Sequence, residues 1–234
     1  PTGHMMLYPG SHYLLFKLCS WLGLTDPSWK MVLVRLLHAA WSLIVVRTGY
    51  RIALKLSTPA VAWRCGLFLA LFFFMPFVSV RNLVEVVSIP PLMLSAWRLV
   101  RKGPAELTVK DLLVAGLFAG LAVDLRFQTI FFACGAGLAL LLMKDLRKAF
   151  WFGAGVLVPI ILVQGGIDLF IWHRPFAEMT EYVRYNLANS TTYFDQPWYN
   201  YLLVLLGVFL PPFSIAVLFG FFKRPKPLLL WLPA

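Results

Sequence analysis

"DLLVAGLFAGLAVDLRFQTIFFACGAGLALLLMKDLRK" (residues 111–148) holds two apolar runs that meet at Asp124 and Arg126 and end in the basic group Lys144, Arg147 and Lys148. Apolar runs of about 17 to 25 residues cross a bilayer as helices. The second run, 127–143, has that length. The first, 111–124, is short, about 21 Å at the helical rise, so it is expected to tilt inside a bundle or to cross incompletely.

The rest of the chain repeats this pattern. Of 234 residues, 60% are hydrophobic and 13% are charged, with a mean hydropathy of +0.78. A soluble domain does not have that composition. We expect an all-α fold: a polytopic transmembrane helical bundle forming a single domain over residues 1–234, with crossings at 31–47, 60–79, 82–100, 111–124, 127–143, 149–172 and 200–222. The net charge of +11 does not point to nucleic acid, because the bases lie in short bursts between apolar segments. These bursts are Arg47, Arg51 and Lys55; Arg98, Arg101, Lys102 and Lys110; Lys144, Arg147 and Lys148; and Lys223, Arg224 and Lys226. Two spans fit between each burst and the next, which puts all four on one face, the cytoplasmic one by the positive-inside rule. The outward segments are then 24–30, 80–81, 125–126 and the long stretch 173–199. The membrane is expected to be a bacterial inner membrane or that of the endoplasmic reticulum.

The N-terminal stretch to Lys30 is apolar but carries Pro9, Gly10, His12 and Lys17, which suits an interfacial or re-entrant helix on the outer face. It lacks the charged start and small-residue cleavage site of a signal peptide. The chain opens on Pro1 and stops inside the apolar run "KPLLLWLPA". A helix cannot end within hydrocarbon with its backbone unpaired, so an internal fragment of a longer protein is expected.

Cys19, Cys65 and Cys134 are isolated and read as packing residues. The four histidines show no ligand spacing, so no metal site and no cofactor are expected from these residues. "GLFAG" (116–120) and the two "GAG" stretches (135–137 and 153–155) read as close helix packing in lipid.

Ionisable residues within spans are costly and usually face a bundle interior or a watery cavity. Here they are Arg35 and His38, Glu85, the pair Asp124 and Arg126, and Asp168. Arg81 with Glu85, Asp124 with Arg126, and Asp168 all fall near the outward ends of their spans, so they are expected to line one outward-opening cavity. Structural ion pairing or snorkelling would explain each of them singly. Beyond Asp168, "IDLFIWHRPFAEMTEYVRYNLANSTTYFDQPWYNYL" (167–202) is dense in Tyr, Trp and Asn. Such rings anchor helices at an interface, and they also stack on sugars while Asn and Asp bind hydroxyls.

Read as a unit, that segment resembles glycosyltransferase family 22, the GT-C mannosyltransferases that extend dolichol-linked oligosaccharides and the glycosylphosphatidylinositol anchor. "YFDQPWYNYL" (193–202) is similar to the family's "FYG-HPWHWYL" signature, and "VRLLHAAWSLIVVRTGYRIALKL" (34–56), from Arg35, to its Arg-Leu-Leu-x-Ala helix. "SVRNLVE" (79–85) is similar to its Ser-x-x-Asn-x-x-Glu corner, and "GLAVDLRFQT" (120–129) to its Gly-Leu-Ala helix, with Arg126 matching. No one of these motifs is specific, but four in register over about residues 5–225 are. Asp195, Gln196 and Asn200 depart from the signature and leave the sugar and acceptor open.

The resemblance implies transfer of a sugar, mannose, from a polyprenyl- or dolichyl-phosphate donor to a lipid-linked glycan acceptor on the outer or lumenal face. It places the family's acidic segment before Pro1, so no catalytic residue is assigned here and the piece alone is expected to be inactive. Substrate contacts are expected from Arg81, Asn82, Glu85, Arg126, Asp168, Asn186 and Trp198. Two rivals use the same buried charges: a transporter or flippase of lipid-linked glycans, and a non-catalytic membrane scaffold. The absence of an internal repeat weighs against the first. The sequon "NST" (189–191) would matter only in a eukaryotic lumen.

Overall fold

The computed structural model describes residues 5–189, 197–209 and 213–223, and every regular element among them is helical. Ser190, Thr191, residues 193–196, Arg224 and Lys226 lie outside the described residues, and with them most of the sequon and the first four residues of the aromatic signature.

Helix α1 spans Leu7–Trp21. Pro9 does not break it, because it sits in the first turn, where no helical donor is needed. The N–H of Gly10 still reaches the Met6 carbonyl at 2.7 Å. Helix α2 (Pro27–Leu56) starts where the Asp26 side chain accepts the Ser28 N–H and Pro27 takes the first helical position. Its 30 residues cover about 45 Å. Helix α3 (Pro59–Leu71) is capped by Thr58.

The crossings expected at 60–79 and 82–100 are each divided. Phe72 is extended, and α4 (Phe74–Ser79) follows it. The other breaks at Ser88 into α5 (Val84–Val87) and α6 (Ile89–Val100). Pro90 and Pro91 have no N–H, so a helix holding them must restart there. Helix α7 (Val109–Leu125) opens with a capping box between Thr108 and Asp111. A 3-10 turn, Phe127–Thr129, leads into α8 (Ile130–Leu142). Helix α9 (Leu146–Pro159) passes through a π turn, Ile160–Gln164, into α10 (Gly165–Trp172). Helices α11 (Ala177–Ala188), α12 (Asn200–Phe209) and α13 (Phe213–Lys223) complete the described chain.

Among the described residues, two continuous helices are long and apolar enough to cross a membrane, Pro27–Leu56 and Leu146–Trp172; Pro59–Leu71 and Phe127–Leu142 are apolar but shorter. Leu157, Ile161, Leu162, Leu169 and Phe170 leave one side of the Leu146–Trp172 helix exposed. An apolar face of that extent calls for an apolar surround.

Helix α7 is the hub, packed against α6, α8 and α9. The glycine pattern works as close packing requires: Gly116 lies on the Phe152 carbonyl and Gly155, and Gly120 on the Val156 carbonyl and Pro159. A Cβ at Gly116 would stand 2.2 Å from the Phe152 oxygen. Gly155 shares in this contact, whereas Gly137 and Gly153 have nothing within 4 Å. Around this joint Leu112, Ala115, Ala119, Leu140, Phe152 and Val156 form the core.

The basic residues after α6 do more than anchor. Arg101 and Lys102 both reach the buried Asp111 carboxylate, with Lys102 Nζ at 2.7 Å, tying the end of α6 to the start of α7.

Candidate functional site

At the other end of α7 the helix stops at Leu125, and Arg126 is extended, with φ −151° and ψ 115°. That change of backbone separates Asp124 from Arg126. Asp124, still helical, is fully buried in the bundle. Arg126 turns away, and its Nη1 donates to Oε1 of Glu85 in the first turn of α5. The ion pair therefore forms across 41 residues: Glu85 meets an arginine, and that arginine is Arg126, which does not pair with Asp124.

Glu85 and Arg126 line a cavity of about 380 Å³ together with Tyr8, Leu125, Gln128 and Tyr182. The Gln128 amide donates to the Tyr182 hydroxyl, and the Tyr182 ring lies 5.3 Å from that of Phe127. Tyr8 donates its hydroxyl proton to Oδ1 of Asn82 at 2.7 Å. The Tyr8 hydroxyl oxygen is also 3.2 Å from Nε2 of His38, whose Nδ1 faces the Arg81 carbonyl at 3.0 Å. Burial, with the nearby Glu85 charge, pushes the Tyr8 hydroxyl up to about 12, so it stays a donor at any ordinary pH.

Asn82, Glu85 and Arg126 thus come together. Arg81 is next to them in sequence, but its guanidinium lies over the Phe77 ring, 4.5 Å from the centroid. Asn186 donates to the Tyr182 carbonyl at 2.8 Å, one turn along α11 from the cavity wall. Trp198 is 78% exposed and touches Tyr199 edge to face.

Asp168 belongs to a separate, buried group. Its Oδ2 accepts the Glu178 N–H at 3.0 Å, which ties the start of α11 to α10, and its Oδ1 accepts Gln164 Nε2 at 2.9 Å. The same amide nitrogen is 2.9 Å from Glu178 Oε2. Glu178 also accepts from Trp172 Nε1 at 3.1 Å and from the Met6 N–H at 3.0 Å. Gln164 reaches both acids from the π turn.

Tyr8, Gln128 and Tyr182 were not singled out in the sequence. Each is an ordinary aromatic or amide residue there, and only Gln128, two residues from Arg126, had a neighbour to mark it. Among the described residues, no three His, Cys, Asp or Glu side chains converge as metal ligands.

The sequence model described as the Alg9-like mannosyltransferase family covers residues 5–233 of this chain. No curated protein and no solved structure matches it.

Proposed function

Because the chain belongs to the Alg9-like mannosyltransferase family, a family of membrane-embedded glycosyltransferases, we propose that it moves mannose from a polyprenyl- or dolichyl-phosphate carrier to a hydroxyl of a lipid-linked glycan. The observation that carries this reading is the guanidinium of Arg126, held by Glu85 in a cavity where Tyr8, Gln128 and Tyr182 add hydroxyl and amide groups to the apolar wall of Met5, Pro9, Val84, Leu125 and Phe127. A permanently charged fork suits the phosphate that leaves as the glycosidic bond breaks. Stabilising that departing charge is the term most worth supplying. Tyr8, Gln128 and Tyr182 offer the neutral donors and acceptors that sugar hydroxyls need, with Asn82 holding Tyr8 in place.

The acceptor hydroxyl must lose its proton to a carboxylate base. We do not give that role to Glu85, whose Oε1 is committed to Arg126. Glu85 instead fixes the guanidinium. Asp168 and Asn186 act from behind the cavity, by holding the start of α11 and bracing the turn that carries Tyr182. Arg81 and the exposed ring of Trp198 are the groups offered to the larger acceptor. In this reading the chain crosses the bilayer seven times, the basic bursts lie on the cytoplasmic side, and the cavity opens outward under the interfacial helix α1.

The test is transfer of labelled mannose from a polyprenyl-phosphate carrier to a lipid-linked glycan by the protein in vesicles. Label that enters the glycan supports the reading. Carrier that crosses the membrane with no transfer replaces it with a flippase.

A further inference from the structure

Asp124, Asp168 and Glu178 have no exposed surface. Asp168 and Glu178 are supplied with N–H donors from Gln164, Trp172, Met6 and the backbone of α11. Asp124 is not: neither of its carboxylate oxygens has a hydrogen-bond partner among the described residues. A buried carboxylate ion with neither donor nor cation is among the costliest groups a fold can hold, and it takes up a proton instead. A second unpartnered atom shows where that proton goes. Oε1 of Gln164 is also buried and bare, and the register of the helices brings it opposite Asp124. Gly116 lies on Phe152 and Gly155, and Gly120 on Val156 and Pro159, so α7 and α9 run parallel and advance together turn by turn. One turn past Gly120 is Asp124. One turn past Pro159 would be Val163, but the π turn Ile160–Gln164 takes in an extra residue, so Gln164 continues the Gly155–Pro159 row. That turn packs on α7. Nε2 of Gln164 is turned to Asp168 and Glu178, which leaves Oε1 for the other side.

We propose that Asp124 is held as the neutral acid, donating its proton to Oε1 of Gln164, and that it thereby acts as a positioning residue for Arg126. Two acceptors form a hydrogen bond only when one of them brings a proton, and an amide oxygen brings none. A cation does not take the proton's place: Arg126 pairs with Glu85, and Arg101 and Lys102 bind Asp111 at the far end of α7. The consequence falls two residues along the chain. An ionised Asp124 would compete with Glu85 for the Arg126 guanidinium. The neutral acid does not compete, and its bond to Gln164 pins the last turn of α7, from which Arg126 departs. What Arg126 does with that freedom rests on the function proposed above; the proton on Asp124 does not.

Two experiments test this. In the first, infrared spectra of the protein in vesicles at neutral pH are compared between wild type and Asp124→Asn. The carbonyl stretch of a protonated carboxylic acid is expected in wild type and should vanish in the variant. Loss of a carboxylate band in its place means an ionised Asp124 accompanied by water or a cation, and overturns the proposal. The second experiment measures mannose transfer. Asp124→Asn keeps an N–H donor for Gln164 and stays uncharged, so its kcat/KM should match that of wild type. Asp124→Leu has a similar volume and is also uncharged, but it makes no bond to Gln164. Its kcat/KM should fall about fivefold, the factor that corresponds to one buried hydrogen bond. Equal values for the asparagine and leucine variants overturn the positioning role.

The two readings fail separately. An acid band at Asp124, with no transfer from any carrier, removes the proposed function and leaves the buried proton. Transfer without the acid band does the reverse.

Discussion

Glu85 and Glu178 each sit in the first turn of a short helix, and the structure treats them in opposite ways. The Glu85 side chain keeps 51% of its surface exposed and meets a single cation, Arg126. Glu178 is completely buried and accepts from three neutral donors on Gln164, Trp172 and Met6. A buried carboxylate surrounded by N–H groups is committed on every side, and removing it orphans those groups. An exposed carboxylate facing one cation adds little to stability, so its place in a cavity calls for another explanation. In the proposed function the α5–α7 corner carries chemistry, and the α10–α11 corner is architecture.

The most forceful way to break that contrast is to remove the cation. Arg126→Ala should lower kcat/KM about 10²- to 10³-fold, the usual loss when a group stabilising developing charge is deleted. Its unfolding free energy should fall by under about 1 kcal/mol, as befits a partly exposed pair. Labelled-mannose transfer and thermal unfolding in detergent read the two quantities. A variant that loses stability and activity in proportion would make Arg126 a structural residue.

Glu178→Ala should do the opposite. It removes the acceptor of the half-buried Trp172 indole and Met6 N–H and leaves the buried Gln164 amide only Asp168, and it should cost about 2–3 kcal/mol of stability. The fraction that remains folded should keep the wild-type KM for the donor. A raised KM with unchanged thermal stability would move Glu178 into the site and dissolve the comparison.

How much of this the sequence disclosed follows from distance along the chain. Helices, their polar ends and the Gly116–Gly120 packing face depend on neighbours within one or two turns, and these were legible. Asn82, Glu85 and Arg126 stood out because charge or amide in an apolar run is conspicuous. Their mutual arrangement was not legible, because Arg126 leaves the helix one residue after Leu125 and meets an acid 41 positions away. Tyr8 was hidden for the same reason, at 74 positions from Asn82. The breaks at Phe72 and Ser88 were missed because hydropathy stays high through them. Asp168 looked like a cavity acid because its apolar neighbours gave no hint that the Glu178 N–H and the Gln164 amide would enclose it.

A smaller effect sharpens the comparison from behind. Both corners depend on α7 lying close to α9, and Gly116 sets that spacing. Gly116→Ala places a methyl against the Phe152 carbonyl and should cost about 1–3 kcal/mol. Gly153→Ala, where nothing lies within 4 Å, should be harmless in the same unfolding experiment. Equal effects at the two positions would show that the α7–α9 contact does not hold the bundle.

The two corners are linked through α1. The Met6 N–H is bound to Glu178, and two residues later Tyr8 is bound to Asn82 in the cavity wall. Tyr8→Phe cuts the second tie and leaves the first, and should cost about 0.5–1.5 kcal/mol for the lost hydrogen bond. The pH dependence identifies the group. Burial raises the Tyr8 hydroxyl from 10.0 to about 12 in the folded chain, with the Glu85 charge adding to the shift. The folded state therefore keeps the proton more tightly than the unfolded state does. Its contribution is whole below pH 10 and is lost as the pH rises towards 12. The difference in melting temperature between wild type and Tyr8→Phe should stay level from pH 7 to 9 and narrow as the pH climbs past that point. A difference that holds constant into alkali would mean that Tyr8 titrates as freely as a surface tyrosine, and that α1 does not bind the Glu85–Arg126 corner to the Glu178 one.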